Sequence, residues 1–149
     1  MERPGELPDE FGGSALTTFI RQPALPLREY IDYYYGEEVV LGNFSGPYMP
    51  HQVIMMPGGC VEMHLCYHDS SSFRLQLNNI TGEVRSFITG ERNMQTLLHL
   101  DGFKKVSKEL HVKFKPGGFF RLFCLHEDEL RNSFFEISEV LGQEGYEIL

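Results

Sequence analysis

The sequence lacks several features that would assign it to a specialised class of protein. Its three cysteines, Cys60, Cys66 and Cys124, are odd in number and form no CxxC pair, so neither a disulfide framework nor a zinc knuckle is indicated. No apolar run approaches the roughly 18 residues of a membrane span. The N-terminus has no charged-then-apolar signal layout. We therefore expect a cytoplasmic protein that makes no membrane contact.

Positive charge is also scarce. The chain has 13 Lys and Arg against 21 Asp and Glu, a net charge of −8, which argues against the whole domain binding nucleic acid. All the lysines lie in one hairpin-sized stretch: Lys104, Lys105, Lys108, Lys113 and Lys115. A basic hairpin can contact nucleic acid or an acidic partner. The alternation of Val112 and Phe114 with Lys113 and Lys115 is more typical of a solvated strand face.

What is present indicates one globular domain. The chain has 149 residues, of which 42% are hydrophobic, enough for one core without a second domain. Residues 1–15 have two prolines, three glycines and few large apolar groups, which predicts a loose N-terminal arm. Residues 16–149 are predicted to form the folded domain.

The fold class predicted from the pattern is mainly β (α+β). A short helix is expected between Pro26 and Gly36, because apolar residues recur there at helical spacing. The middle of the chain has short β runs separated by turn residues, which favours a sandwich or small barrel. From about residue 117, after Pro116-Gly117-Gly118, the pattern becomes a small helical cluster. The predicted strands are Glu38–Leu41, Tyr48–Met56, Cys60–Tyr67, Phe73–Leu77, Val84–Thr89, Met94–Leu100 and Lys108–Lys115.

The histidines raise the question of a metal site. Glu62 and His64 share a strand face because side chains alternate along a strand, and His51 could come from a neighbouring strand. The cupin HxH pattern followed by Glu is missing, since His64-Leu65-Cys66 offers no second imidazole at that spacing. A polar strand face of Glu62, His64 and Cys66 opposite apolar neighbours is therefore favoured over a metal site. We expect no cofactor.

Catalytic motifs are missing as well. No GxSxG elbow is present and no cysteine has a recognisable local signature, so we expect no enzyme activity. Cys60 and Cys66 are expected to be small buried hydrophobes. The glycine pair after Pro116 lies between a strand and a helix but lacks the Lys-Ser/Thr ending of a phosphate loop. A tight strand-to-helix turn explains it better.

Four segments resemble the N-terminal domains of AraC-type transcription regulators. Residues 56–63, MPGGCVEM, resemble a P-D-G-C-V-D-L strand, with Gly58-Gly59 where the family often has Asp-Gly. Residues 112–118, VKFKPGG, resemble a V-R-F-R-P-G-G strand-to-helix junction. Residues 27–35, LREYIDYYY, resemble an L-R-x-Y-V-x-x-Y-W opening, with Tyr35 in place of Trp. Leu130 through Gly142 is similar to the helical stretch that follows, so the resemblance covers about residues 20–142.

This resemblance implies a cupin-like β-barrel followed by helices that act as linker and dimer contact. It implies a domain that senses a small-molecule effector or mediates homodimerisation. DNA would then be bound only by a C-terminal helix-turn-helix domain that this chain does not contain. Two alternatives stay open: a small cupin-type enzyme with a metal on His51, Glu62 and His64, or an interaction protein that uses its lysine hairpin. The pocket residues predicted for an effector are Met55, Met63, His64, Leu65 and Phe114.

Overall fold

The computed structural model describes residues 16–40, 52–55, 57–66, 73–77, 79–99 and 106–142. The strands in these ranges are β1 (Leu16–Arg21), β2 (Ile31–Val40), β3 (Gln52–Met55), β4 (Glu62–Cys66), β5 (Phe73–Leu77), β6 (Ile80–Val84), β7 (Phe87–Thr89), β8 (Thr96–His99), β9 (Val106–Phe114) and β10 (Phe134–Glu136). The helices are a 3-10 turn at Leu25–Leu27, α1 (Gly118–Phe123), α2 (Glu127–Leu130) and α3 (Ile137–Leu141). The predicted arm over residues 1–15 lies outside the described ranges.

The strands form two antiparallel sheets. The larger sheet has the order β1-β2-β9-β4-β7-β10 and the smaller has the order β3-β8-β5-β6. The prediction of a mainly β domain with short C-terminal helices is therefore confirmed. Over the described residues both sheets are open, and the predicted closure into a cupin-like barrel is not confirmed. No helix in the described part of the chain is long and apolar enough to cross a membrane.

The larger sheet is covered on both faces. On one face, Met63 and Val112 pack with Phe119 of α1 and Ile137 of α3 in the main apolar core. On the other face, Cys66 and Phe87 pack with residues of the smaller sheet in a second core that includes Leu75, Leu77 and Val84. Side chains on alternate positions of β4 and β9 therefore enter two different interiors.

The helix predicted between Pro26 and Gly36 is wrong. The chain makes a 3-10 turn there and then enters β2, where a register shift lies between Ile31 and Tyr33. The bulge turns Ile31 and Tyr34 toward the same core, which Leu27 and Tyr30 also contact. The four residues therefore pack on one core, as predicted, but a 3-10 turn followed by a bulged strand produces the spacing.

Gly36 continues β2 rather than ending a helix. It pairs with Phe19 of β1, and a Cβ at Gly36 would lie 2.2 Å from the Phe19 ring. The ring therefore lies over the glycine, which leaves room for it. The absence of a side chain at Gly36 therefore allows the Phe19 ring to pack on β2.

Two further strands differ from the prediction. The predicted strand Val84–Thr89 is broken by a bend at Arg85 and Ser86, which separates β6 from β7. Ser86 is buried, and its hydroxyl accepts a hydrogen bond from the Cys66 amide at 3.0 Å. Strand β10 extends the sheet by pairing with β7, inside a stretch predicted to be helical.

The glycines after Pro116 form the tight strand-to-helix turn that was predicted. Gly117 has φ of 72° in the left-handed region, which glycine adopts without steric cost. A Cβ at Gly118 would lie 2.1 Å from the Tyr30 carbonyl oxygen. The chain between β9 and α1 therefore runs directly against the Tyr30 backbone.

Candidate functional site

A group of ionisable side chains lies in the interior between the two sheets. It comes from the positions of β4 and β9 that face the smaller sheet, together with the loop after β7. We define the inner polar cluster as Glu62, His64, Arg92, Glu109 and His111. Strand register produces the cluster, because His64 pairs with His111 and Cys66 pairs with Glu109 across β4 and β9.

The two histidines meet at the centre of this cluster. His64 is 2% exposed and His111 is 6% exposed, and their rings pack edge to face with centroids 4.5 Å apart. Phe87 stacks on His64 at 4.3 Å, and Tyr35 stacks on His111 at 4.0 Å. Each imidazole therefore packs against the other and against one further aromatic ring.

Three of the four imidazole nitrogens lack hydrogen-bond partners among the described residues. This holds for Nε2 of His64 and for both ring nitrogens of His111. His111 Nε2 lies 3.3 Å from Glu109 Oε2, and His64 Nε2 lies 3.9 Å from Glu62 Oε2. Burial is the main cause that lowers the pKa of His64 well below its usual value, and the charges of His111 and Arg92 lower it further. His64 is therefore neutral at physiological pH and keeps a nitrogen lone pair.

Glu62 lies at the edge of the cluster, between two cations. Arg92 Nη2 is 3.4 Å from Glu62 Oε2, and Lys113 Nζ is 3.8 Å from Glu62 Oε1. The Arg92 backbone amide donates a hydrogen bond to the Gly58 carbonyl at 2.8 Å. The Pro57-Gly58-Gly59 turn therefore packs against the loop that supplies the buried guanidinium.

The cluster contains a set of possible metal ligands. One ligand atom each from His64, Glu109 and His111 lie within 4.8 Å of one another. Two imidazole nitrogens and a carboxylate oxygen form a ligand set that transition metals use in proteins. The site predicted from sequence shares only His64 with this set. Glu62 instead contacts Arg92 and Lys113, and His51 lies outside the described residues.

Sequence reasoning missed Glu109 and His111. The signal that could have found them is a repeated pattern, because Glu62-Met63-His64 and Glu109-Leu110-His111 are both Glu-x-His on a predicted strand. Alternation places Glu and His of each pattern on one face. The pairing of the two strands, which brings both patterns together, cannot be read from either segment alone.

The residues predicted to line an effector pocket do not form one surface. Met63, Leu65 and Phe114 belong to the main apolar core on the helix side of the larger sheet, whereas His64 enters the opposite interior. Met55 pairs with Thr96 in the smaller sheet, and its side chain lies outside what the structure describes. The prediction of one pocket is therefore corrected, because strand alternation separates His64 from its neighbours.

The lysines occupy different environments. Lys104 and Lys105 lie outside the described residues. Lys113 is half-buried against Glu62 and the Tyr33 ring rather than solvated, and Lys115 donates a hydrogen bond to the Arg28 carbonyl at 2.6 Å. Val112 and Phe114 are buried between them, as the alternation predicted.

The cysteines and the glycine loop offer no reactive group in the described region. Cys66 is buried, as predicted, whereas Cys60 is only half-buried. Burial raises the pKa of both thiols, so neither is activated as a thiolate. The Gly117 amide donates a hydrogen bond to Glu127 Oε2 at 3.1 Å. A carboxylate of the chain itself therefore takes the place that a bound anion would have at this amide.

Comparison with known proteins gives one match. A family model described as "Domain of unknown function (DUF6597)" matches residues 20–136, which include the last two residues of β1 and every later strand of both sheets. No curated protein and no solved structure matches the chain significantly.

Proposed function

The chain belongs to the family described as Domain of unknown function (DUF6597), and from that premise we propose that it is the sensing and dimerisation domain of an AraC-type transcription regulator. The proposal combines the sequence resemblance with one structural observation, the inner polar cluster. A separate DNA-binding domain would supply promoter recognition. In this arrangement the separate domain contacts the DNA, and the 149-residue chain does not.

The inner polar cluster supports a binding role because a core built for stability alone would not contain it. Burying ionisable groups between two sheets costs free energy unless they are paired or bind something. Apolar side chains of similar volume would fill the same space without that cost. The histidines of this cluster therefore favour recognition of a ligand in the interior.

Burial favours sensing over catalysis. His64 and His111 are closed off by Phe87, Tyr35 and the smaller sheet, so a substrate has no direct approach to the imidazoles. A ligand that enters between the sheets would instead bias how the two sheets pack. That change is what a regulatory domain has to transmit.

The expected homodimer would use a surface other than α3. Ile137 is fully buried, and Val140 and Leu141 pack against the main core, so the apolar stripe of α3 serves the domain itself. Ile20 is 62% exposed on β1, the edge strand of the larger sheet over the described residues. We therefore place the proposed dimer contact at β1 rather than at α3.

Two measurements test this function. An immunoblot of the source cell should show a native gene product heavier than the 17.2 kDa of this chain. The reading frame of that product should also encode a DNA-binding domain. Sedimentation of the 149-residue chain should show a dimer that Ile20→Lys dissociates, whereas Glu29→Lys, at an exposed position outside the strands, should leave it intact. A native product without any DNA-binding domain would contradict the regulator proposal. A chain that stays monomeric at all concentrations would contradict the dimerisation role.

A further inference from the structure

We propose that the inner polar cluster binds one divalent transition-metal ion through His64, His111 and Glu109. Ion binding follows from the geometry of these three side chains and stands independently of the regulator assignment. The role of the ion as the effector of a regulator rests on the proposed function above.

The ligand atoms of the three residues are spaced as in a metal site that is slightly too wide. In a tetrahedral zinc site with bonds of about 2.0–2.1 Å, two ligand atoms lie about 3.3 Å apart. His111 Nε2 and Glu109 Oε2 are 3.3 Å apart, and the three ligand atoms, one from each residue, all lie within 4.8 Å of one another. Small rotations of the His64 side chain would close the remaining gap.

Three of the four imidazole nitrogens are buried without a hydrogen-bond partner among the described residues. His64 and His111 are both more than nine-tenths buried, and the described residues provide no hydrogen bond to His64 Nε2 or to either nitrogen of His111. Buried polar atoms without a partner are rare in native proteins and call for an explanation. The approach of His111 Nε2 to Glu109 is close but lacks hydrogen-bond geometry. A shared ion would bind one nitrogen of each imidazole, with the Glu109 carboxylate as its third ligand.

The aromatic rings of the cluster leave little space for a ligand larger than an ion. The rings of Tyr35, His111, His64 and Phe87 follow one another at centroid distances of 4.0 to 4.5 Å. An organic effector would have to separate these rings, whereas a single ion needs only the gap between the ligand atoms. The cluster therefore fits an ion better than a molecule.

The ligand types select the class of metal. Two imidazoles with one carboxylate suit Zn²⁺, Co²⁺, Ni²⁺ or Fe²⁺, whereas Mg²⁺ and Ca²⁺ require mostly oxygen ligands. Glu62 would act as a positioning residue near His64. Its pairing with Arg92 and Lys113 would keep it at the edge of the site, 3.9 Å from His64 Nε2.

The test uses the tag-free chain after treatment with a chelator. Titration with ZnCl₂ in a calorimeter should show one equivalent bound, and CoCl₂ should produce visible absorption bands that Zn²⁺ abolishes. His64→Phe and His111→Phe each keep a ring for stacking but remove one imidazole. Each should weaken Zn²⁺ binding by at least the roughly 10–100-fold that loss of a second-shell partner causes.

The chain provides a matched control. His126 is exposed and stacks on Phe120 with centroids 4.8 Å apart, so His126→Phe also replaces a stacked imidazole with a phenyl ring. Its affinity for Zn²⁺ should equal that of the unmodified chain. Equal Zn²⁺ affinity for the folded His64→Phe, His111→Phe and unmodified chains would overturn the proposal, as would the absence of near-stoichiometric binding.

A second measurement needs no variant and covers the case in which the substituted chains do not fold. In the ¹⁵N-histidine-labelled chain, Zn²⁺ should shift the ring nitrogens of two of the six histidines, both protected from solvent. Shifts confined to exposed histidines would overturn the proposal. Stoichiometric Zn²⁺ binding by a chain whose native product has no DNA-binding domain would uphold the metal site and reject only the regulator assignment.

Discussion

His64 and His111 are direct cross-strand partners whose imidazole rings meet edge to face in the interior between the sheets. Histidine is polar and titratable, yet here two of them lie side by side with their ring faces covered by Phe87 and Tyr35. This relationship makes the stability of the metal-free domain sensitive to pH.

Stability of the metal-free chain should fall as pH decreases below about 6.5. Burial lowers the pKa of His64 in the folded state, so below its ordinary value of 6.5 the unfolded chain binds a proton that the folded chain excludes. The stability that comes from burying neutral His64 is therefore present above pH 6.5 and is lost as the pH falls below it. The free energy of unfolding should decrease by up to about 1.4 kcal/mol per pH unit for one proton. Urea unfolding with a chelator at pH 7.5, 6.5 and 5.5 measures it.

The variant His64→Leu should show a shallower dependence on pH over the same range, because it cannot bind the extra proton on unfolding. His126→Leu, at an exposed position, should keep the dependence of the unmodified chain. An identical slope for His64→Leu and the unmodified chain would show that other groups cause the effect.

Arg92→Met should destabilise the domain by about 3 kcal/mol, because removal of one partner of a buried ion pair leaves the other charge uncompensated. Arg92 is 5% exposed and lies 3.4 Å from Glu62. Lys113, at 3.8 Å, should keep the loss near the lower end of the range for such pairs. Denaturant unfolding of Arg92→Met, Glu62→Gln and the double variant measures the coupling. The double variant should cost less than the sum of the single changes, and strict additivity would contradict the pairing.

Gly118→Ala should destabilise the domain by about 3 kcal/mol, because the added Cβ would overlap backbone that cannot move freely. That Cβ would lie 2.1 Å from the Tyr30 carbonyl oxygen. Gly59→Ala is the matched control, since a Cβ there meets nothing within 4 Å, and we expect a change within about 0.5 kcal/mol. Thermal unfolding of both variants measures the difference, and equal midpoints would refute the close approach.

The three thiols should react with a disulfide reagent at different rates in the native protein. Cys124 is exposed, Cys60 is half-buried and Cys66 is buried. Burial raises the pKa of the Cys66 thiol above any ordinary working pH, so it should react only when the chain unfolds. Absorbance at pH 8 should show one fast and one slower thiol, and Cys124→Ser should remove the fast phase. Rapid labelling of Cys66 in folded protein would contradict the assigned burial.

Much of the local structure could be predicted from residue patterns. The alternation of Val112 and Phe114 with lysines placed β9 correctly, and the turn after Pro116 was identified from its glycines. The segment from Leu27 to Tyr34 was placed on one face but assigned to a helix, because a turn followed by a bulged strand can produce the same spacing. Nothing local distinguishes them, since pairing with β1 and β9 stabilises the strand.

The candidate site was harder to predict than the strands. Glu62 and His64 were recognised as sharing a face, whereas the partners Glu109 and His111 were not, although they repeat the same Glu-x-His pattern. The predicted pocket mixed residues from both faces of β4, so His64 was grouped with Met63 and Leu65, from which alternation separates it. A one-residue difference in position along a strand is enough to place a side chain in a different interior.

The amino-acid sequence by itself determined most of the extended segments in the middle of the chain, the turn after Pro116 and which residues of a strand share a face. These are local properties of backbone conformation and side-chain spacing. Only the tertiary structure decided that the polar face of β4 is buried, that His64 pairs with His111 and that Arg92 reaches Glu62. Those relationships depend on which distant strands pair and on the smaller sheet covering that face, and long-range pairing has no signature within a single segment.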